Sequence, residues 1–481
     1  MSPSAEKKPL EGKNVVVIGT GIGGAAVSAL LASQGAKPVV IERSAIVGGK
    51  AGAYDRRGCK MEVGIHIAPR GKKGPLGEIA KLTGANIDFV DMSPVVRLIY
   101  GENERKLPQK LASVKSAFNI ISTIKPAFSE YGGLMRFSWL VWKSKSLDEA
   151  SSYYGMSAHK LLTRYFTDPD MHAFMNYCSS IMFVMSTSEV SAAQFLVGLN
   201  NWFSDGATAY PKGGYGAIPQ AYLDVCEQSG GSLKLKEKAE EIVVDDGKVV
   251  GVKTNKGFYP ADIVVSNAGI LKTVDLCGEG VFPEQYASKI RQLKDSHGAV
   301  VVKYALKKKL TSTPITIYIP KRFDLEGFTS SVQNKVVPDD GPLYIISPTV
   351  VDPDLAPEGQ HILMACTGAP ADMFDKDVNK KLLDLVEERM EALHPGLQEN
   401  TLWKQRHGID YFAAVGGRGF GEAIGLAQTY EQDGQRFSPR TPVNGLYVVG
   451  ADTGAYGIGT ELAALSSLTA RDMILDDLGA K

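Results

Sequence analysis

The sequence predicts an α/β fold, with a mostly parallel sheet whose parts are separated by long insertions. A short apolar segment, a glycine-rich turn and a helical segment follow one another near the N-terminus. The same order recurs near the C-terminus, from residue 446 onwards. Between these two units, residues 217–265 have the pattern of a helix followed by a β-meander. Strand–turn–helix units of this kind build parallel sheets that are covered by helices.

The N-terminal unit has the pattern of a dinucleotide-binding turn. Val15–Ile18 is a continuous apolar run, as in a strand buried on both faces, and residues 25–34 form the predicted helix, which ends at Gly35. The glycines between them complete G-x-G-x-x-G, which permits a tight turn, close approach of a pyrophosphate and close packing of the helix on the strand. The candidate cofactor-binding glycines are Gly19, Gly21, Gly23 and Gly24.

An acidic residue ends the second predicted strand. Val39–Ile41 is followed by Glu42, 18 positions after Gly24 (42 − 24). A carboxylate at that strand end accepts hydrogen bonds from ribose hydroxyls. The next residue, Arg43, either stacks near an adenine or is solvated. Strand, glycines, helix, second strand and acid together predict a dinucleotide cofactor.

The residues that follow distinguish FAD from NAD. Gly48 and Gly49 form a doublet shortly after Glu42, and Lys50 comes next. This arrangement resembles the flavin-dependent amine oxidase and phytoene desaturase superfamily, in which arginine usually follows the doublet. The resemblance implies a Rossmann-like FAD-binding domain, with Gly49 and Lys50 at the cofactor. Lysine keeps the positive charge but lacks the planar fork of arginine.

The middle of the chain resembles the same superfamily. A helix over 217–228 precedes strands over 242–244 and 249–254, which the hairpin signal Asp245-Asp246-Gly247 joins. The resemblance implies that the backbone of Ala239, where valine is more usual, contacts the adenine.

The C-terminal unit resembles the closing flavin motif of the superfamily. The resemblance implies that Asp452 binds ribitol hydroxyls, and that Gly459 and Thr460 begin a helix whose N–H groups point at the flavin or the pyrophosphate. Glu461 falls in the first turn of this helix, where a carboxylate is favourable, and it can also line the cofactor pocket. We therefore expect both glycine-rich turns to bind one FAD, the ADP half at the N-terminal turn and the flavin half at the C-terminal turn.

Composition excludes several other classes of protein. The 481 residues include 53 Lys+Arg and 53 Asp+Glu, so the zero net charge argues against a nucleic-acid partner. The five cysteines form no C-x-x-C pair, which predicts reduced thiols and no metal site. The polar N-terminal segment and the absence of an apolar run of about 18 residues predict a cytoplasmic protein, soluble or peripherally attached to a membrane.

The superfamily resemblance divides the chain into five segments. We expect the FAD-binding domain at residues 1–90, 206–270 and 431–481. An interleaved α+β substrate domain is expected at residues 91–205 and 271–430. A third glycine-rich stretch, residues 411–425, has Glu422 where a final glycine would stand, so it predicts a loop near the flavin or substrate, with Arg418 as a substrate contact.

The first substrate segment is helix-rich and apolar. It groups Phe137, Trp139 and Trp142 between Arg136 and Lys143. Four methionines follow, at Met171, Met175, Met182 and Met185. Flexible methionines and flat aromatic rings suit a long apolar pocket or an entrance that dips into a membrane. A buried helix core is the alternative.

Three residues are candidates for catalysis. Alternation places Lys303 on one strand face with every second residue from 297. Amine oxidases carry a lysine on a comparable strand, bridged by water to the flavin N5. In this chain the distance of Lys303 from the preceding glycine differs by one residue, and a shift of one residue would move the lysine to the other face of the strand. A solvated or edge-strand lysine is therefore the alternative. His66 either faces the flavin or is structural, and Tyr456 precedes the last helix, where it could reach the flavin ring.

The overall resemblance is to the phytoene desaturase, carotenoid isomerase and retinol saturase branch. It implies an FAD-dependent oxidoreductase that desaturates, saturates or isomerises the C=C bonds of an apolar isoprenoid or polyene, with quinone, O₂ or another electron partner. An amine oxidase-type flavin oxidase is one alternative, and a GDP dissociation inhibitor-like escort of prenylated GTPases is another. Carotenoid desaturases usually have His and Pro before the last helix, where this chain has Ala455 and Tyr456, and this difference argues against a carotene substrate.

Overall fold

The computed structural model describes residues 8–108, 113–203, 208–433, 436–454 and 457–480. The strands are β1 Val15–Ile18, β2 Val39–Ile41, β3 Ala53–Arg56, β4 Cys59–Glu62, β5 Phe89–Asp91, β6 Val96–Tyr100, β7 Asn103–Leu107, β8 Ala209–Pro211, β9 Ser232–Lys234, β10 Ala239–Asp245, β11 Lys248–Thr254, β12 Gly257–Pro260, β13 Ile263–Ser266, β14 Gly298–Leu306, β15 Ile315–Ile319, β16 Leu343–Ile346, β17 His361–Ala369, β18 Thr401–His407 and β19 Leu446–Val448. The α-helices are α1 Ile22–Ser33, α2 Pro75–Thr83, α3 Val114–Ile124, α4 Tyr131–Lys143, α5 Ala158–Leu162, α6 Pro169–Phe183, α7 Ala192–Phe203, α8 Ala217–Gln228, α9 Ile270–Cys277, α10 Glu284–Arg291, α11 Leu325–Gln333, α12 Lys376–Leu393, α13 Leu397–Asn400, α14 Ile409–Gly416 and α15 Gly459–Asp477.

Five parallel strands form the first sheet, in the order β19-β13-β1-β2-β9. In the central strand, Val17 pairs with Val265 of β13 on one side and with Val40 of β2 on the other. Val17 faces the core that contains α1, α8 and α15, whereas Val16 faces the core that contains β10, β11 and α9. Burial on both faces explains why β1 is apolar throughout, and the predicted parallel sheet is confirmed.

Helix α1 begins three residues earlier than the sequence predicts, because the glycine-rich turn already belongs to the helix. A Cβ on Gly24 would lie only 2.0 Å from the carbonyl oxygen of Gly19, so only glycine lets the helix start this close to β1. The end of the helix was predicted correctly. Gly35 follows it with a left-handed φ of 96°.

The predicted β-meander is present as strands β10, β11 and β12. Asp246 and Gly247, with φ of 45° and 70°, join β10 to β11, and two such left-handed residues are typical of a type I′ hairpin turn. Strand β13 then returns to the parallel sheet beside β1.

The second large sheet has seven strands, in the order β18-β14-β17-β16-β15-β6-β7. Strand β14 pairs with β17 on one side and β18 on the other, so it is an interior strand. Lys303 lies in β14 and is completely buried. The alternative that Lys303 is a solvated or edge-strand lysine is therefore wrong.

Helices α3 to α7 lie between β7 and β8 along the chain. Phe137 of α4 is buried, and so are the four methionines of α6 and the turn after it. Trp139 and Trp142 are instead 56% and 62% exposed. The buried-core alternative holds for Phe137 and the methionines and is wrong for the two tryptophans.

The two large sheets draw their strands from interleaved parts of the chain. Strands of the parallel sheet come from residues 15–41, 232–266 and 446–448, and strands of the seven-stranded sheet come from residues 96–107 and 298–407. The boundaries of the five predicted segments stay a prediction. Within the described ranges, no helix combines the length and the apolar character needed to cross a bilayer.

Candidate functional site

A cavity of about 600 Å³ is lined by residues from both large sheets and from the helices around them. Of the thirteen predicted cofactor-binding residues, twelve line it: Gly19, Gly21, Gly23, Glu42, Arg43, Gly49, Lys50, Ala239, Asp452, Gly459, Thr460 and Glu461. The exception is Gly24, which faces the backbone of Gly19. The fold thus brings together at one cavity residues that lie more than 400 positions apart in the chain.

Two long helices begin at this cavity. Helix α1 is capped by Gly21 and helix α15 by Ile458, and neither residue has a side chain that can accept a hydrogen bond. No cap side chain therefore occupies the first-turn N–H groups of either helix, although the Glu461 N–H of α15 donates to the Ile458 carbonyl (3.1 Å). Because the N-terminal end of a helix also carries partial positive charge, both positions favour an anionic or strongly polar ligand group.

Asn267 links the two glycine-rich turns, and it is not among the residues predicted from the sequence. In the amide orientation that satisfies both of its polar atoms, Asn267 accepts from the Gly21 N–H (3.3 Å) and donates to the Val449 carbonyl (3.2 Å). A Cβ on Gly23 would lie 2.6 Å from the Asn267 side chain and 2.9 Å from the Gly450 nitrogen. The only signal in the sequence is the position of Asn267, directly after the strand β13 that separates β1 from β19.

Glu42 lies at the end of β2, as predicted, and is almost fully buried. Its carboxylate accepts from the Thr20 N–H (3.0 Å), the Thr20 hydroxyl (2.6 Å) and the Ser44 N–H (2.8 Å). These donors fix the orientation of the carboxylate at the cavity wall. A carboxylate has about four acceptor positions, so Glu42 keeps capacity for a ligand hydroxyl.

Arg43 makes a contact that the sequence did not predict. Its guanidinium donates to the carbonyls of Ala414 (2.6 Å) and Val415 (2.7 Å), in the last turn of α14. It is therefore not simply solvated, and it satisfies carbonyls that a helix C-terminus leaves free. Its contact with a cofactor stays a prediction.

Asp452 belongs to a group of buried and partly buried charges, here called the Arg418 cluster: Lys50, Asp295, Arg418, Glu422 and Asp452. Arg418 donates to Asp452, lies 2.8 Å from Asp295 and lies 3.2 Å from Glu422. Lys50 forms a 2.6 Å ion pair with Glu422. The Arg418 guanidinium is thus neutralised by carboxylates of the protein, which does not support its predicted role as a substrate contact.

The charges of the Arg418 cluster shift the pKa values of Asp452 and Lys50. Burial alone would raise the pKa of Asp452, but the Arg418 guanidinium and the N–H groups of Ile270 (2.9 Å) and Leu426 (3.1 Å) hold it below its ordinary value. Burial lowers the pKa of Lys50, and its ion pair with Glu422 opposes that effect. Asp452 is therefore an oriented, ionised acceptor at the cavity wall.

The first turn of α15 is held by residues outside the predicted cofactor set. Glu461 forms a buried ion pair with Arg70 (2.7 Å), and the Thr460 hydroxyl lies 2.7 Å from that of Tyr215. Arg70 also donates to Asn201, at 3.4 Å, and Asn201 itself lines the cavity. Nothing in the sequence pattern connected Arg70 with Glu461, because the two residues are 391 positions apart.

His66 lines the cavity, and its ring stacks on Tyr215 with the ring centres 4.8 Å apart. Burial, with smaller contributions from Lys303 and Lys50, lowers the pKa of His66 to about 4, so the imidazole is neutral at pH 7. Its Nδ1 has no hydrogen-bond partner among the described residues. A neutral imidazole can both donate and accept a proton, so His66 offers that capacity inside the cavity.

Lys303 lies behind the cavity wall. Ala299 and Val301, earlier on the same face of β14, line the cavity, whereas the Lys303 side chain turns to residues 62 and 63. Its Nζ donates to the carbonyls of Glu62 and Val63, the latter at 2.9 Å. The alternation of β14 was thus predicted correctly. A catalytic role of Lys303 stays a prediction, and Tyr456 lies outside the described residues.

The surroundings of Lys303 are polar but hold few charges. Its Nζ lies 5.3 Å and 5.0 Å from the ring centres of Tyr54 and Tyr411. Burial lowers the pKa of Lys303 to about 7, although the nearby carboxylate of Glu62 opposes this. Burial also raises the pKa of Glu62 to about 7, against the hydrogen bonds from Tyr210 and Tyr215. Both groups therefore titrate near neutral pH.

The remaining cavity wall is largely apolar. Helices α6 and α7 provide one side with Tyr177, Ile181, Met182 and Trp202, and the seven-stranded sheet contributes Ala299, Val301, Tyr344 and Cys366. Of the four methionines singled out in the sequence, Met182 lines the cavity. Large apolar and aromatic side chains of this kind favour an extended apolar ligand.

The other part of the cavity has the donors and acceptors that FAD needs. Two helix N-termini offer N–H groups for a pyrophosphate or a flavin edge, and the carboxylates of Glu42 and Asp452 can accept from ribose and ribitol hydroxyls. The backbone of Ala239 lies at the wall, as a main-chain contact requires. The residues present therefore fit FAD.

Comparison with known proteins agrees with this site. Residues 22–474 match the family of flavin containing amine oxidoreductases. The chain is 25% identical to a prolycopene isomerase of Daucus carota, over 97% of this chain and 80% of that protein. It is 24% identical to the all-trans-retinol 13,14-reductase of Macaca fascicularis, over 99% and 89%. It is 22% identical to a phytoene desaturase of Fusarium fujikuroi, over 72% and 65%.

Solved structures share the fold. An oxidoreductase from Methanosarcina mazei superposes with a TM-score of 0.72 at 21% identity, covering 95% of this chain and all of that one. A Rab GDI from Plasmodium falciparum superposes with a TM-score of 0.56 at 13% identity, covering 97% and 98%. Because the family match spans most of the chain and the cavity fits the cofactor, the protein belongs to the flavin containing amine oxidoreductases and is an FAD-dependent oxidoreductase similar to phytoene desaturases.

Proposed function

We propose that this oxidoreductase desaturates, saturates or isomerises C=C bonds of an extended, apolar isoprenoid or polyene. The observation that carries the proposal is the continuity of one cavity, which joins the FAD-binding residues to an apolar wall of Tyr177, Ile181, Met182 and Trp202. The relatives named as prolycopene isomerase, retinol reductase and phytoene desaturase support the same substrate class.

The residues of the chain have separate tasks in this proposal. The N-termini of α1 and α15 bind the phosphates and the flavin edge, while Glu42 and Asp452 fix the ribose and the ribitol. When bound, FAD supplies hydride transfer to or from a substrate carbon. The apolar wall orients the polyene and excludes water, so competing reactions with solvent are suppressed.

We propose His66 as the residue that holds or accepts a proton at the cavity. It is neutral, it lines the cavity, and its Nδ1 is free of partners within the described part of the chain. Lys303 and Tyr456 stay candidates for catalysis. The position of Lys303 behind residues 62 and 63 supports a positioning role, because those residues lead directly into the segment that carries His66.

The two alternative functions have less support. An amine oxidase mechanism of the kind expected from the sequence would need Lys303 at the flavin, and its side chain lies behind the cavity wall. An escort of prenylated GTPases would not need the pair of carboxylates and the two uncapped helix N-termini that fit FAD. We further propose peripheral contact with a membrane, where apolar substrates reside, and an electron partner such as a quinone or O₂.

The test begins with the flavin. Purified protein should carry FAD, visible as yellow absorbance. In separate reactions, the oxidised flavin is mixed anaerobically with phytoene, and the anaerobically reduced flavin is mixed with quinone, O₂, all-trans-retinol or prolycopene. The polyenes are dispersed in detergent, and products are separated by chromatography. We expect slow reoxidation by O₂ and conversion of at least one polyene. Rapid reoxidation by O₂ with no polyene converted would support the oxidase alternative, and failure to bind added FAD would disprove both enzyme functions.

A further inference from the structure

Helix α4 exposes an apolar stripe to solvent. Tyr131, Met135, Trp139 and Trp142 are 39%, 72%, 56% and 62% exposed. Their spacing of four, four and three residues places them on one side of the helix. Four large side chains on one exposed helix face are unusual for a water-facing surface, where apolar residues occur singly.

The opposite side of α4 fixes this orientation. Phe137 is buried, and its ring packs against those of Tyr165 and Phe166 at centre distances of 5.5 Å and 5.4 Å. A Cβ on Gly133 would lie 1.9 Å from the Tyr165 carbonyl oxygen, so the helix backbone sits directly on its neighbour. The stripe is therefore the outer face of a firmly packed helix.

One neighbouring ring extends the stripe. Phe128, in the turn before α4, is 89% exposed and its ring lies 5.4 Å from that of Tyr131. Phe128 and the stripe are together called the α4 face: Phe128, Tyr131, Met135, Trp139 and Trp142.

The segment around the α4 face carries an excess of positive charge, although the whole chain is neutral. Residues 113–149 contain five exposed basic side chains, Lys115, Lys125, Arg136, Lys143 and Lys145. Of their three acidic residues, Glu130 is buried and accepts from Thr167, whereas Asp148 and Glu149 are exposed. Glu149 accepts from the Lys145 N–H at 2.7 Å. Basic side chains therefore outnumber acidic ones among the exposed charges of this segment.

The cations lie directly beside the aromatic side chains. The Lys143 Nζ is 3.6 Å from the centre of the Trp139 ring, and the Lys145 Nζ is 5.2 Å from that of Trp142. A surface groove next to the stripe is lined by Trp139, Arg136 and Arg164. Apolar rings flanked by lysine and arginine match the boundary of a bilayer, which has acyl chains below anionic headgroups.

The α4 face is connected to the wall of the FAD cavity. The Asn200 side chain, on α7, donates to the carbonyls of Val141 (2.9 Å) and Trp142 (3.2 Å) at the end of α4. The next two residues of α7, Asn201 and Trp202, line the cavity. One helix of the cavity wall is thus bonded to the exposed helix.

We propose that the α4 face docks the enzyme on the surface of a bilayer that contains anionic lipids. This proposal rests on the proposed function, because it explains how an apolar substrate would reach a cavity whose wall is joined to the docking helix. The tryptophan rings enter the headgroup region, and the bordering lysines and arginines bind lipid phosphates.

Vesicle sedimentation of the FAD-containing protein tests the proposal. One set of vesicles contains phosphatidylcholine and roughly one third phosphatidylglycerol, and the other contains phosphatidylcholine alone. We expect clear binding to the anionic vesicles, and a loss of affinity of at least about tenfold in the W139S/W142S variant and in the R136E/K143E variant. Quenching of tryptophan fluorescence by brominated lipid should disappear in W139S/W142S.

Matched variants control for general effects of the substitutions. F258S/V336S removes two other exposed apolar side chains, and K308E/K309E makes the same change in net charge elsewhere, so both should bind like the wild type. Equal losses in the matched variants, or no loss in the α4 variants, would overturn the proposal. So would a wild-type dimer that dissociates in W139S/W142S with no vesicle binding, since the face would then hold a second copy.

Flavin content separates this proposal from the proposed function. A protein that binds vesicles through the α4 face but cannot bind FAD would disprove the function and leave the docking intact. A protein that carries FAD and converts a detergent-dispersed polyene without binding vesicles would disprove the docking alone.

Discussion

Arg418 and Lys303 are two cations beside the same cavity, the first largely and the second completely buried, yet their surroundings differ. Burial alone would lower the pKa of Arg418, but Asp452, Glu422 and Asp295 raise it, so Arg418 stays charged. Lys303 faces main-chain carbonyls and tyrosine rings, and its pKa falls to about 7. Three carboxylates outweigh the effect of burial on the pKa of Arg418, whereas the single nearby carboxylate of Glu62 does not outweigh it for Lys303. We expect Arg418 to support the structure of the site, and Lys303 to change protonation with pH.

Replacing Arg418 with methionine should have the largest effect. Asp452 and Asp295 would lose their counter-ion and Glu422 would keep only Lys50, and breaking ion pairs at a buried site typically costs about 3–5 kcal/mol of unfolding free energy. Denaturant unfolding measures the loss, and absorbance shows whether FAD is retained. Arg440→Met is the control, because its ion pair with Asp477 is exposed and should contribute less than about 1 kcal/mol. Similar losses of unfolding free energy in the two variants would show that Arg418 contributes no more to stability than the exposed Arg440.

Asp452→Asn should have a smaller effect, centred on the cofactor. The side chain keeps its shape and the cluster keeps two carboxylates for its two cations, but the acceptor proposed for the ribitol is lost. Losing a charged hydrogen-bond partner corresponds to about 1.5–3 kcal/mol of FAD binding, measured by titrating the apoprotein with FAD. Glu42→Gln should give a comparable loss at the other end of the cofactor. Wild-type affinity in Asp452→Asn would exclude its predicted role.

Lys303 should make stability depend on pH. Its pKa falls from 10.5 in the unfolded chain to about 7 in the folded one, so between these values the unfolded state binds more protons. The unfolding free energy therefore rises from pH 7 towards 10.5, with a slope of up to about 1.4 kcal/mol per pH unit from this group.

The Lys303→Met variant should have a flatter stability profile over that range, while Arg418→Met should keep the slope. Glu62 also makes the unfolding free energy depend on pH, at lower pH values, because its pKa of about 7 in the folded protein exceeds the ordinary 4.5. The resulting stabilisation of the folded protein is present below pH 4.5 and is lost as the pH rises to about 7. Identical profiles for Lys303→Met and the wild type would show that Lys303 keeps its charge. Loss of polyene turnover in Lys303→Met that Lys303→Arg restores would support a positioning role.

Arg43→Met should have the smallest effect, since this third cation is exposed and bonds only to the carbonyls of α14 among the partners described. We expect a loss of about 0.5–1 kcal/mol in unfolding free energy, as for other cations at helix C-termini, and little change in FAD affinity. A loss of FAD affinity as large as that of Asp452→Asn would instead support the predicted contact with the adenine.

The parallel sheet and the first half of the site could be predicted because their signals are local. Gly19, Gly21 and Glu42 lie within one strand–helix–strand unit, and the chemistry of each residue indicates its role without knowledge of a distant partner. The turn at Asp246-Gly247 is equally local. By contrast, Asn267 and the pair Arg70–Glu461 act between segments hundreds of positions apart, and no periodicity in one segment indicates a partner in another.

Burial depth was the other quantity that the sequence pattern could not supply. Alternation placed Lys303 on the correct face of β14, but only the neighbouring strands β17 and β18 show that this face is deep inside the protein. Proximity in the sequence grouped Phe137, Trp139 and Trp142, but it does not indicate which of these residues lie on the inner and which on the outer face of a helix. The packing of Phe137 and Gly133 decides which face points outwards.

The position of α15 in the chain has a consequence for synthesis. The Ser467 hydroxyl donates to the Gly23 carbonyl of α1, at 2.9 Å, across 444 positions. The helix that completes the flavin half of the site is thus translated long after the turn for the ADP half. Until α15 has left the ribosome, FAD can therefore contact only the residues of the ADP half, and both halves of the site become available together only after that helix is released.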